Sequence, residues 1–174
     1  MKFGVNLLNF GPSANPKNFL RWVRVVEGLG YHSIMTSDHV VITPDVAAAY
    51  PAPFYEPIST LAWLAGVTEK LEIGTTVLIV PYRNPLETAR ALANIDQLSG
   101  GRLILGVGIG WAEEEFASLK VPYRERGAIT NEFRRQVRLV SRCRYGSTSR
   151  AQTASADLGG GCERCGAAAD YPAR

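Results

Sequence analysis

The sequence predicts an α/β protein built on a parallel sheet, and three observations carry that expectation. Four apolar runs, at about residues 3–9, 31–36, 71–80 and 102–109, are almost continuous, as in strands buried on both faces. Stretches with the 3.6-residue spacing of amphipathic helices lie between them. Gly and Pro clusters mark the junctions. Four consecutive β/α units leave two architectures open, an open doubly wound sheet or part of a closed (β/α)8 barrel.

The first strand, Phe3 to Asn9, ends at Gly11-Pro12. From Asn15-Pro16 the spacing of Phe19, Leu20, Val23, Val26 and Leu29 predicts a helix closed by Gly28 and Gly30. A second strand, Tyr31 to Thr36, reaches Ser37-Asp38-His39, and a long loop punctuated by Pro44, Pro51, Pro53 and Pro57 follows. Loops of that length inside a compact domain are usually functional or disordered. A helix is expected from Pro57 to Lys70, then a β-branched third strand from Leu71 to Val80. Pro85 opens a helix that stops at Ser99-Gly100-Gly101, and Arg102 to Ile109 forms the fourth strand. A short helix follows Trp111, and a longer one runs from about Glu125 to Val140. Beyond residue 140 the hydrophobic period stops; residues 141–174 are expected to be a disordered or out-of-frame tail, because a Gly-, Ser- and Arg-rich stretch offers no apolar face to offset its ordering entropy.

The 174 residues hold 46% hydrophobic residues and a formal net charge of +3, which is enough for one core. The charges are spread along the chain, so no basic face marks a nucleic-acid partner. The N-terminus lacks the apolar stretch of a signal peptide and no run reaches membrane-spanning length, so a cytoplasmic location without a membrane partner is expected. The cysteines, Cys143, Cys162 and Cys165, all fall in the tail. Cys162-Glu163-Arg164-Cys165 supplies half a zinc ribbon without its second half, so no metal site is expected.

Polar or small residues sit at the C-terminal ends of successive strands: Asn9, Asp38 with His39, Thr75 with Thr76, and Gly108-Ile109-Gly110-Trp111. In parallel β/α folds those ends converge on the ligand. Asp38-His39 pairs a carboxylate with an imidazole suited to moving a proton near neutral pH, whereas His32 precedes its strand and is expected to be structural. Gly106-x-Gly108-x-Gly110 has neither the spacing nor the position of a dinucleotide fingerprint; its glycines are expected to let backbone approach a flat ligand. Glu113, Glu114 and Glu115 are expected to form a solvated first helical turn.

Ser37-Asp38-His39, Gly74-Thr75-Thr76-Val77-Leu78 with Pro81-Tyr82-Arg83-Asn84-Pro85, Ser99 to Trp111, Glu114-Glu115-Phe116 and Arg124-Glu125-Arg126-Gly127 together resemble the luciferase-like monooxygenase superfamily, especially its coenzyme F420-dependent branch. The resemblance covers residues 1 to about 140. It implies the (β/α)8 TIM-barrel class, here only the first four β/α units, a half barrel, with strands five to eight and their phosphate-binding loops missing. It further implies FMN or coenzyme F420 as cofactor, its ring lying across the strand ends against a third-strand bulge at Thr76-Val77, often with a non-prolyl cis peptide.

By the same resemblance Asp38, Thr75, Thr76, Val77, Gly108 and Gly110 contact the cofactor, His39 is the catalytic base, and Asn9 and Trp111 face a small organic substrate. Some deazaflavin enzymes carry a glutamate where this chain has Trp111, which implies an apolar or stacked substrate in place of a sugar phosphate. The function implied is that of a flavin- or F420-dependent oxidoreductase or monooxygenase. The competing reading is a non-catalytic fragment or flavin-binding module, assembling through its open edges, for instance as a homodimer.

Overall fold

The computed structural model describes residues 1–142. The tail and its three cysteines lie outside the described residues, apart from the end of the last helix. The elements are β1 (Gly4–Asn6), α1 (Pro16–Gly28), β2 (Ser33–Thr36), α2 (Pro44–Ala47), α3 (Pro57–Val67), β3 (Glu72–Ile79), a 3-10 turn (Val80–Tyr82), α4 (Pro85–Leu98), β4 (Leu103–Gly108), α5 (Glu113–Ser118), a second 3-10 turn (Tyr123–Glu125) and α6 (Arg126–Arg142). The strands pair in parallel in the order β1-β2-β3-β4. Sequential order without reversal is the arrangement of a barrel segment, whereas a doubly wound sheet reverses at a switch point.

Helix starts follow local chemistry. The side chains of Asn15, Glu56 and Asn84 accept hydrogen bonds from N–H groups of the first turns of α1, α3 and α4, and each is followed by a proline that has no N–H to leave unpaired. The helices bury Phe19, Val23 and Val26 of α1, Leu61 and Leu64 of α3 and Leu92 and Ile95 of α4 against Ile34, Ile73 and Leu78 of the sheet. At the N-terminal ends of the strands two charged side chains tie the elements together. Glu27 accepts from the backbone N–H groups of Glu69, Lys70 and Leu71, and Arg102 donates to the carbonyls of Ala65, Thr68, Leu71 and Ser99.

Two elements differ from expectation. β1 is shorter, because the chain leaves the ladder once Leu7 N–H has bonded Met35 O, and swings out to form an antiparallel bridge between Phe10 and Phe54. The long loop after β2 contains the short helix α2 and a cis peptide at Ala52-Pro53. In β3 the register against β4 slips between Thr75 and Leu78, and the Thr76-Val77 peptide in that bulge is cis.

Candidate active site

The C-terminal ends of β2, β3 and β4 enclose a cleft of about 300 Å³, at the lower end of the range of ligand pockets. Asp38 and His39 from β2, Thr76 and Val77 from the β3 bulge, and Gly108, Gly110 and Trp111 from β4 line it, with Tyr50 reaching in from the long loop. The bulge turns both Thr76 and Val77 to the cleft side instead of alternating them across the sheet, and both are exposed. A Cβ at Gly106, Gly108 or Gly110 would run into Thr75, Val77 or Ile79 and Phe116 respectively, so these glycines, expected to admit a flat ligand, instead let protein pack closely around the bulge. Gly110 adopts φ of 78°, which re-aims the chain from β4 into Trp111.

His39 is buried, and its Nδ1 lies 2.6 Å from Oε2 of Glu115. Its Nε2 has no hydrogen-bond partner among the described residues and is not sealed from solvent. Aromatic rings surround the imidazole: Tyr50 at 4.8 Å, Phe54 at 5.7 Å and Trp111 at 5.8 Å between ring centroids. Phe10 extends this wall by stacking on Phe54.

Glu115 corrects the expectation of a solvated acidic turn. Its Oε1 accepts from the N–H groups of Val40 and Val41, and its Oε2 accepts from the Tyr82 hydroxyl as well as facing His39. Burial favours its protonated form, but the bonds from His39, Val41 and Val40 outweigh burial and hold the carboxyl below its ordinary value. Burial first, then the Glu115 charge, push the Tyr82 hydroxyl far up, so it remains an O–H donor. The signal for Glu115 was in the spacing: Ala112, Glu115, Phe116 and Leu119 share one helix face, and that face is the one turned inward.

Asp38 is engaged by protein. Its carboxylate accepts from Arg83 Nη1 at 2.6 Å, Arg83 Nη2 at 2.8 Å and the Ile79 N–H at 2.7 Å, and Arg83 also reaches Glu56 at 3.1 Å. Burial raises the Asp38 carboxyl above its ordinary value while Arg83 and Ile79 pull it back, and the two carboxylates hold the Arg83 guanidinium up against its own burial. The pair ties the end of β2 to the turn after β3. Arg83 belongs to the Pro81–Pro85 motif, but nothing in the sequence marked it as the partner of Asp38.

Two other expected site residues do not line the cleft. Asn9 is fully buried; its Nδ2 donates to the carbonyls of Ser37 and Tyr55 and its Oδ1 accepts from the Ser37 N–H, so it staples the loops after β1 and β2. Thr75 is also buried, its hydroxyl donating to the Gly106 carbonyl across the β3-β4 ladder. Both sit at strand ends as expected, but their polar atoms are spent on the scaffold.

Comparison with known proteins points the same way. An F420-dependent glucose-6-phosphate dehydrogenase of Segniliparus rotundus is 36% identical over 125 residues, covering 68% of this chain and 35% of that protein. The monooxygenase RslO1 of Streptomyces bottropensis superposes with a TM-score of 0.66 at 28% identity, covering 79% of this chain and 42% of that one. The coenzyme F420-dependent tetrahydromethanopterin reductase of Methanopyrus kandleri superposes with a TM-score of 0.53 at 28% identity over 70% of this chain and 30% of that one. The chain thus spans less than half the length of each. The model of the luciferase-like monooxygenases matches residues 1–154, and with four parallel β/α units, a third-strand bulge and an Asp-His pair at the strand ends, the chain belongs to that family.

Proposed function

We propose that the cleft holds the tricyclic ring of coenzyme F420 or of FMN, and that the chain forms the part of an oxidoreductase that orients this ring against a small apolar or aromatic substrate. The observation that carries the proposal is the cleft at the strand ends, where the exposed Thr76-Val77 bulge, packed directly on Gly108, stands beside Trp111 and the free imidazole nitrogen of His39. The F420-dependent relatives support the choice of cofactor class. No Lys or Arg is among the described cleft-lining residues, so the site as described suits a ring better than a phosphate.

When bound, the reduced cofactor supplies a hydride or, as reduced flavin, the electrons that activate dioxygen. The chain's own contribution is positional and acid-base. Val77, exposed in the bulge, supports a planar group from one side. Trp111 and Tyr50 line the cleft and offer faces on which a planar substrate stacks. Nε2 of His39 can hold or take a proton from a substrate group in the cleft.

The test is a titration of the full chain with F420 and with FMN, following the fluorescence of each, with circular dichroism as the check on folding and substrate turnover measured on the saturated protein. Saturable binding of one of them with turnover supports the proposal. Binding without turnover would leave a flavin-binding module, and no binding by a folded chain would overturn the assignment of the cleft.

A further inference from the structure

We propose that Glu115 is a positioning residue for His39: it fixes the imidazole with its proton on Nδ1, so that Nε2 meets the cleft as an unprotonated acceptor. The argument starts from the donors around the carboxylate. Glu115 is fully buried, and three partners, the N–H groups of Val40 and Val41 and the hydroxyl of Tyr82, all donate to it. With two N–H groups on Oε1 and a hydroxyl on Oε2 all donating to it, the carboxylate has no proton to offer the imidazole, so the 2.6 Å contact requires Nδ1 to be the donor. In a neutral imidazole that leaves Nε2 bare. The other carboxylate near the cleft, Asp38, is committed to Arg83 and does not compete for the ring.

One carboxylate therefore performs two tasks. Oε1 pins the backbone where the long loop leaves β2, and Oε2 sets the orientation and tautomer of the side chain just before it. Tyr50 at 4.8 Å and Trp111 at 5.8 Å limit rotation of the ring from the other sides. An imidazole free in water favours the proton on Nε2, so the arrangement inverts the intrinsic preference and leaves a base pointed at the substrate side. The catalytic consequence rests on the oxidoreductase reading above, whereas the tautomer does not.

The chain has two histidines, His32 and His39, which makes the test direct. Ring nitrogen shifts of the 15N-labelled full chain, recorded without cofactor at alkaline pH, report each tautomer separately, with His32 as the internal reference. The expected result is a protonated Nδ1 and a bare Nε2 for His39, and loss of that pattern in Glu115→Gln with the His32 signals unmoved. Tyr82→Phe removes a donor to the carboxylate but leaves the His39 contact, so it should retain the wild-type tautomer. A wild-type His39 carrying its proton on Nε2 overturns the proposal whether or not the Gln variant folds, and so does a folded Glu115→Gln protein with unchanged His39 shifts. Failure of the chain to bind either cofactor would overturn the functional proposal without touching this result.

Discussion

At the scale of single residues the cleft is held by two buried charge clusters with different duties. Asp38 and Arg83 join the ends of β2 and β3, and replacing Asp38 by Asn leaves the guanidinium buried with Glu56 as its one charged partner among the described residues. Breaking a buried pair in this way costs about 3–5 kcal/mol, and Asp38→Asn should lower the urea midpoint accordingly. Glu115 predicts a pH dependence of definite sign. Its folded pKa lies below the ordinary value of 4.5, so its stabilising contribution is complete above that pH and is lost as pH falls through the lower folded value. Denaturation midpoints of the wild type should therefore fall on acidification below pH 4.5, and Glu115→Gln should show a shallower fall. The sequence made the position of Asp38 and His39 legible, because strand ends are legible. It did not show that Asn9, Thr75 and Asp38 spend their polar atoms on the protein, since hydrogen-bond partners 28 to 46 residues away leave no local trace.

Elements were legible to the extent that their signals were local. Pro16, Pro57 and Pro85, each behind a capping side chain, fixed three helix starts, and the β-branched run of β3 fixed its strand. β1 was overestimated because its apolar run continues past the point where the chain turns toward the Phe10-Phe54 bridge, a contact between distant segments. The short helix α2 was hidden for a related reason: four residues are too few to display a period. The junction of β4 and α5 depends on Gly110, where φ is 78° and an added Cβ would lie 2.8 Å from both Ile79 Cγ2 and Phe116 Cε2. Gly110→Ala should destabilise the chain by about 1–3 kcal/mol, from the strained backbone and the overpacked contact, read as a lowered Tm.

On the scale of the whole molecule, β1 and β4 each pair on one side only among the described residues, and Ile104, Leu105, Val107 and Ile109 of β4 and its continuation are exposed. The fold class was legible because four apolar runs with helices between them can form few architectures, and the observed sequential order matches the barrel alternative, although only β2 and β3 contain buried residues. Among the described residues no helix is long and apolar enough to cross a membrane. The central claim is that the ends of β2, β3 and β4 form one cofactor-binding face. The most direct test is backbone amide mapping of the 15N-labelled full chain as coenzyme F420 or FMN is added. Shifts concentrated on Thr76, Val77, Gly108, Gly110 and Trp111, with His32, Leu71 and Arg102 at the opposite strand ends unmoved, are the predicted result. Shifts centred on those opposite ends, or a folded chain that shows none with either cofactor, would contradict the account.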